Sequence, residues 1–155
     1  MKLLVIFDID GTCANVGDRF KGKIPKPQER SNPDYLQYLK DKQTRDKLMK
    51  DVPVSGMQKM IEAFPNAIYL TSRERYLYKD TVDWLSLHNF PEREIYMRDN
   101  GDSTLPAKYK EMQIKQLAHL YPNIILVDDD DDMLEMCQRN GWTFLQARSG
   151  GKVPK

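Results

Sequence analysis

Histidine and cysteine are nearly missing from this sequence, with two of each in 155 residues. Cys13 and Cys137 stand far apart and match no metal-ligand spacing, which excludes a zinc-finger or disulfide scaffold. A reduced, cytoplasmic setting is the simpler expectation. His88 and His119 read as surface helix residues rather than catalysts. An excess of one charge is missing too: 24 Lys and Arg face 23 Asp and Glu, a formal net charge of +1. That excludes a global basic field, so nucleic acid would have to be held by a local patch. No segment approaches the ~20 apolar residues of a membrane span, so no membrane partner is expected. The apolar run from Leu3 to Phe7 is too short for the core of a signal peptide. There is no internal repeat and no low-complexity tract. The length fits one domain with a real core, expected over residues 1–148, followed by a flexible tail at 149–155.

The most informative stretch is at the start, where Leu3-Leu4-Val5-Ile6-Phe7 runs straight into Asp8-Ile9-Asp10-Gly11-Thr12. A continuous apolar run reads as a parallel strand buried on both faces. Its C-terminal end is where open α/β sheets bind ligands. An isolated Asp-x-Asp is more often a turn cap beside a solvated acid, so the other strands have to decide. A second strand, Ala67 to Leu70, ends at Thr71-Ser72-Arg73-Glu74. A third spans Glu94 to Met97. A fourth, Asn123 to Val127, ends at five consecutive aspartates, Asp128 to Asp132. Thr143 to Leu145 is the fifth.

Helical patterns fill the gaps. One covers residues 33–49, prone to break in its charged middle. A second starts with Asp51 as N-cap and Pro53. Three more cover 76–89, 106–121 and 131–140, with Leu87 and either Met112 or Ile114 among the inward positions. Alternating strands and helices predict an α/β fold: a Rossmann-like parallel sheet of about five strands, helices on both faces and a minimal cap. Three strand ends would then bring Asp8 and Asp10, Thr71, and Asp128 and Asp129 to one edge.

Such a cluster of carboxylates repels itself unless a cation sits there. All-oxygen ligands favour a hard ion such as Mg²⁺. With a cation beside it, a carboxylate can attack phosphorus, and a second carboxylate just past the strand can move a proton. A hydroxyl such as Thr71 and a lysine can stabilise charge on the transferring group.

Asp8-Ile9-Asp10-Gly11-Thr12 resembles the first motif of the haloacid dehalogenase-like (HAD-like) phosphohydrolases. Thr71 is similar to their second motif, a helical lysine to the third, and Val127-Asp128-Asp129 to the fourth, in the same order. The resemblance implies an aspartyl-phosphate on Asp8, with Asp10 as general acid and then base and its backbone carbonyl on Mg²⁺. It implies Mg²⁺ held by Asp8, Asp10, Asp128 and Asp129. The likeness is greater to the 3′-phosphatase domain of phage-type polynucleotide kinase. Arg19 stands nine residues after Asp10, Arg73 follows Thr71-Ser72, and Gly101-Asp102 precedes the lysine helix. Lys110 falls on the catalytic lysine of that family, with Lys108 the alternative. Gln146-Ala147-Arg148-Ser149-Gly150 resembles that domain's end. Pro106 stands where the family has an aspartate, and Ser72 replaces a glycine.

The implied activity is Mg²⁺-dependent hydrolysis of a phosphomonoester, with a 3′-phosphorylated DNA or RNA end as substrate and Arg19, Thr71, Ser72 and Arg73 binding it. A nucleotide phosphatase of the same superfamily is the alternative, and a non-catalytic binding module a third reading. A separate kinase or ligase is an expected partner. The flap from Cys13 to Pro33 is basic, with Arg19, Lys21, Lys23, Lys26 and Arg30 against Asp18 and Glu29. Gly17 to Ile24 fits G-x-x-x-x-G-K, but it lacks the following Ser or Thr and the strand–helix setting of a phosphate-binding loop.

Overall fold

The computed structural model describes residues 2–148. The predicted tail at 149–155 lies outside the described residues. The chain runs β1 (Leu3–Phe7), β2 (Ala14–Asn15), α1 (Pro33–Lys42), α2 (Arg45–Leu48), β3 (Val52–Pro53) and α3 (Met57–Glu62). It continues with β4 (Ile68–Glu74), a 3₁₀ turn (Arg75–Leu77), α4 (Tyr78–Leu87) and β5 (Ile95–Arg98). It closes with α5 (Pro106–Leu117), β6 (Asn123–Asp128), α6 (Asp132–Asn140) and β7 (Thr143–Gln146).

Five strands form one sheet in the order β5-β4-β1-β6-β7, and every pairing is parallel. Strand β1 lies at the centre because its residues are apolar to both sides. Alternate side chains of a strand point to opposite faces. Val5 and Phe7 therefore pack with Ile61 of α3 and Trp84 and Leu85 of α4. Leu4 and Ile6 pack with Tyr109 and Ile114 of α5 and Met133, Met136 and Cys137 of α6. Parallel pairing puts the C-terminal ends of β1, β4 and β6 on one edge, as the alternation of elements predicts. The fold is the expected α/β architecture of five parallel strands with helices on both faces.

The helix predicted from residue 33 breaks in its charged middle, as expected: it stops at Lys42, and α2 is a separate turn whose Leu48 packs with Leu77 and Met97. Other expectations need correction. Asp51 and Pro53 do not open a helix. Val52–Pro53 instead pairs antiparallel with Ala14–Asn15. An edge ladder of two residues tolerates proline because little pairing is lost there. Asp51 is buried, and Trp84 donates to its carbonyl at 3.1 Å. Helix α3 starts later, after Gly56 at φ +82°.

Strand β4 runs on to Glu74, past the predicted end at Leu70, with an irregular register between Leu70 and Glu74. Propensity does not favour Arg and Glu in a buried strand, but both find charged partners there. Leu87 and Met112 face solvent, and Ile114 is the inward residue of its pair. Trp84 is buried and Trp142 packs against the core, as expected. Helix α1 packs on the flap, not the sheet: Tyr35, Tyr38 and Leu39 form a small cluster with Phe20 and Ile24. The cap is thus a flap and one helix. The phosphate-loop look-alike, residues 17–24, contains no helix or strand.

Leu126 is fully buried beside Ile6 and Tyr109. Leu126→Ala is expected to cost about 2–5 kcal/mol of stability. Urea unfolding followed by circular dichroism measures it; an unchanged midpoint would contradict the burial of β6 between β1 and β7.

Candidate active site

The site is built where β1 and β6 stop. Asp8 follows the last residue of β1, and its N–H donates to the carbonyl of Val127 at 3.0 Å, continuing the ladder. Asp128 closes β6, and the N–H of Ala147 donates to its carbonyl at 2.9 Å. Both backbones are therefore fixed by the sheet. The turn after Asp8 is held by the N–H groups of Thr12, Cys13 and Ala14, which all donate to the carbonyl of Ile9. Gly11 sits in this turn at φ +84°. A Cβ there would lie 2.2 Å from Oδ2 of Asp129, so only glycine leaves that carboxylate its place.

Oxygens of Asp8, Asp128 and Asp129 lie within 4.8 Å of one another. Lys110 of α5 reaches across from the neighbouring face, its Nζ 2.8 Å from Asp8 Oδ1 and 2.6 Å from Asp128 Oδ2. Asp8, Asp128 and Lys110 are all buried. Burial, then the Asp128 carboxylate, push the carboxyl of Asp8 well above the usual range despite Lys110. Burial and Asp128 likewise hold Asp129 at about 7. Burial would lower the Lys110 ammonium, but Asp128 and Asp8 outweigh it and raise the group above its ordinary value. One ammonium among three carboxylates leaves negative charge to be offset. An all-oxygen cluster with a charge deficit fits a hard divalent cation.

Asp10 is treated differently. Arg73 donates from Nε to Oδ2 at 3.0 Å and from Nη2 to Oδ1 at 2.5 Å. Nη2 of Arg19 reaches the same Oδ1 at 2.5 Å. Burial opposes ionisation, but the two guanidinium groups prevail and hold the Asp10 carboxyl far below the usual range. Arg19 also donates from Nε to Asp51 Oδ1 at 3.2 Å, and its Nη2 makes an ion-pair contact with Asp51 Oδ2 at 2.9 Å. Burial, moderated by Arg19, lifts the carboxyl of Asp51 to about 6. Nη1 of Arg73 donates to Thr81 Oγ1 at 2.9 Å.

The structure thus brings Asp8, Asp128, Asp129 and Lys110 together, and gathers Asp10, Arg19 and Arg73 in a second cluster. Lys108 makes neither of the ammonium contacts that Lys110 makes. Arg19 and Arg73, expected to bind substrate, both place their guanidinium groups on Asp10. Thr71 is buried, with Oγ1 accepting from the N–H of Arg73 at 3.1 Å. The carbonyl of Ser72 accepts from Arg30 at 3.1 Å. Oδ1 of Asp128 accepts from the N–H of Asp130 at 3.0 Å, and Asp132 lies in the first turn of α6, where the helix dipole favours an acid.

Asp51 and Thr81 escape the sequence reading. Asp51 looks like an N-cap, and nothing in a lone threonine on a helix signals a guanidinium partner.

Asp10→Asn removes the anion from between two buried cations, so a loss of about 3 kcal/mol is expected at pH 7. A carboxyl with a lowered folded pKa stabilises above its unfolded value, ~3.9, and that stability is lost as pH falls through the folded value. The gap between wild type and variant should therefore shrink from pH 7 to pH 2. A constant gap in thermal or urea unfolding would show that Asp10 is not held ionised.

Residues 2–151 match the family described as polynucleotide kinase PNKP phosphatase domain. No curated protein sequence matches the chain. Among solved structures, a chain of the Pnkp1/Rnl/Hen1 complex matches at 19% identity and TM-score 0.67, covering 99% of this chain and 48% of that one. This chain spans under half the length of that relative. A HAD hydrolase of family IA, variant 3, from Entamoeba histolytica matches at 16% identity and TM-score 0.67, covering 99% and 86%. A HAD-superfamily hydrolase of subfamily IA, variant 1, from Geobacter sulfurreducens matches at 14% identity and TM-score 0.61, covering 99% and 89%. At such identities the likeness is one of fold.

Proposed function

Because the chain belongs to the PNKP phosphatase-domain family, with the HAD-like fold and phosphatase activity that go with it, we propose that it removes the 3′-phosphate from DNA or RNA ends through an aspartyl-phosphate on Asp8. The observation that carries this reading is the Lys110 ammonium bridging Asp8 and Asp128 beside Asp129. It supports an anionic group sitting against Asp8, with its charge offset from one side by Lys110. Mg²⁺ would be held by Asp8, Asp128 and Asp129, with the backbone carbonyl of Asp10, and would offset charge on the phosphoryl oxygens.

In the first step a carboxylate oxygen of Asp8 bonds to phosphorus and the bond to the leaving nucleoside oxygen breaks. Asp10 supplies the proton that this oxygen takes up. In the second step Asp10 accepts a proton from water, the water oxygen bonds to phosphorus, and the acyl-phosphate bond returns its electron pair to Asp8. Inorganic phosphate leaves.

Arg19 and Arg73 shape this sequence by keeping Asp10 ionised in the free protein. That is the state the second step needs. The proton of the first step then has to arrive with the substrate. A phosphomonoester carries one below its second pKa, about 6, and Asp10 relays it to the leaving oxygen. Thr71 and Ser72 line the second strand end as candidate contacts to the phosphoryl group. The basic flap remains the candidate support for the rest of a polynucleotide. Assembly with a separate kinase or ligase is the expected setting.

The test is phosphate release from a 3′-phosphorylated oligonucleotide and from a mononucleotide, with Mg²⁺ or EDTA. Preferential, EDTA-sensitive turnover of the oligonucleotide, declining above about pH 6, is expected. Asp8→Asn should lower it by at least about 10³-fold. Preference for the mononucleotide would favour a nucleotide phosphatase, and no turnover of either a binding module.

A further inference from the structure

Lys110 must be placed accurately, because its Nζ bonds two buried carboxylates at 2.8 and 2.6 Å. The helix that carries it begins without a side-chain cap. The residue before α5 is Leu105, and Pro106 occupies the first turn. An uncapped helix start needs another anchor.

Arg98, at the end of β5, supplies one. Its side chain is fully buried. Nη1 donates to the carbonyl of Asp102 at 3.2 Å and to the carbonyl of Thr104. These are the carbonyls of the segment that leads into α5. The guanidinium also lies over the ring of Tyr109, 4.9 Å from its centroid. Tyr109 immediately precedes Lys110. The same segment is held from the other side by Glu74, whose Oε1 accepts from the N–H of Gly101 at 2.6 Å. Glu74 Oε2 in turn accepts from Arg30 of the flap at 3.1 Å. A single guanidinium therefore ties the end of β5, the connecting segment and the first turn of α5. Among the described residues no carboxylate bonds it, and Nε and Nη2 have no hydrogen-bond partner, so Nη1 carries both of its hydrogen bonds.

We propose that Arg98 is a positioning residue for Lys110. It acts through the carbonyls of Asp102 and Thr104 and the ring of Tyr109, and fixes where the Lys110 ammonium meets the phosphoryl group. This rests on the reading of Lys110 as the group that contacts the transferring phosphate. A displacement of about 1 Å at such a group costs up to 10²-fold in rate.

The experiment compares wild type with Arg98→Gln and Arg98→Lys on two substrates, a 3′-phosphorylated oligonucleotide and a small aryl phosphate. Positioning predicts a kcat lower by about 10- to 100-fold on both, with KM within about twofold. The lysine variant, which keeps one donor, should recover part of it. A higher KM on the oligonucleotide alone would overturn the proposal, since Arg98 would then be touching the substrate chain. Unchanged kinetics would overturn it too, as would a loss matched by the unfolded fraction seen in circular dichroism. Amide hydrogen exchange supplies a readout independent of activity. Arg98→Gln should speed exchange over residues 102–112 and leave β1 and α6 unchanged; no local change overturns the proposal. Wild type inactive on both substrates would instead refute the phosphatase reading of Lys110.

Discussion

Burial of like charge at the end of a parallel sheet is the constraint that the rest of this molecule answers. Asp8, Asp10 and Asp128 are nearly inaccessible, and Asp129 is half-buried beside them. Isolated carboxylates at such depth would take up protons or push the strands apart. The chain supplies buried cations from three different elements: Lys110 from α5, Arg73 from β4 and Arg19 from the flap. The long-range contacts of these side chains hold the flap and α5 against the sheet edge.

The cations are not shared equally, and the inequality separates the two aspartates of the opening motif. Asp10 receives two guanidinium groups and has its ionised state secured. Asp8 shares one ammonium with Asp128 and sits near Asp129, so its charge remains partly uncompensated. In the proposed mechanism, a nucleophile that accepts a phosphoryl group with a cation alongside gains from that deficit, and a proton carrier that activates water gains from being ionised and held still. Gly11 permits the arrangement by leaving room for Asp129 in a turn where any side chain would collide.

Much of this was legible in the sequence. The unbroken apolar run before Asp8, the repeated pattern of apolar strand followed by polar end, and the helices between them carry the sheet and its functional edge. Lys110 came from the family resemblance, with Lys108 as the alternative. The rest depends on contacts far apart in sequence. Asp51, two residues before a proline, has the look of a helix start, yet its partner is Arg19, 32 residues away. Arg73 and Glu74 have no propensity for a buried strand; they extend β4 because Asp10, Arg30 and Gly101 wait there. Arg19 belongs to a flap whose composition suggests solvent and substrate, and only the folded chain shows its guanidinium turned inward to Asp10. Local pattern reveals where a strand ends, but not which distant charge makes an unlikely residue comfortable there.

The unequal roles of Asp8 and Asp10 are the central claim, and acid-quench trapping tests them most directly. The Asp10→Asn protein, folded by circular dichroism, is mixed with an aryl phosphate whose leaving group needs no proton. Peptide mass spectrometry then locates the phosphate. Attack should proceed while hydrolysis stalls, so phosphate should accumulate on Asp8, and none should appear in Asp8→Asn. Undiminished phosphate release with no label on Asp8, or a label on any other residue, would contradict the account.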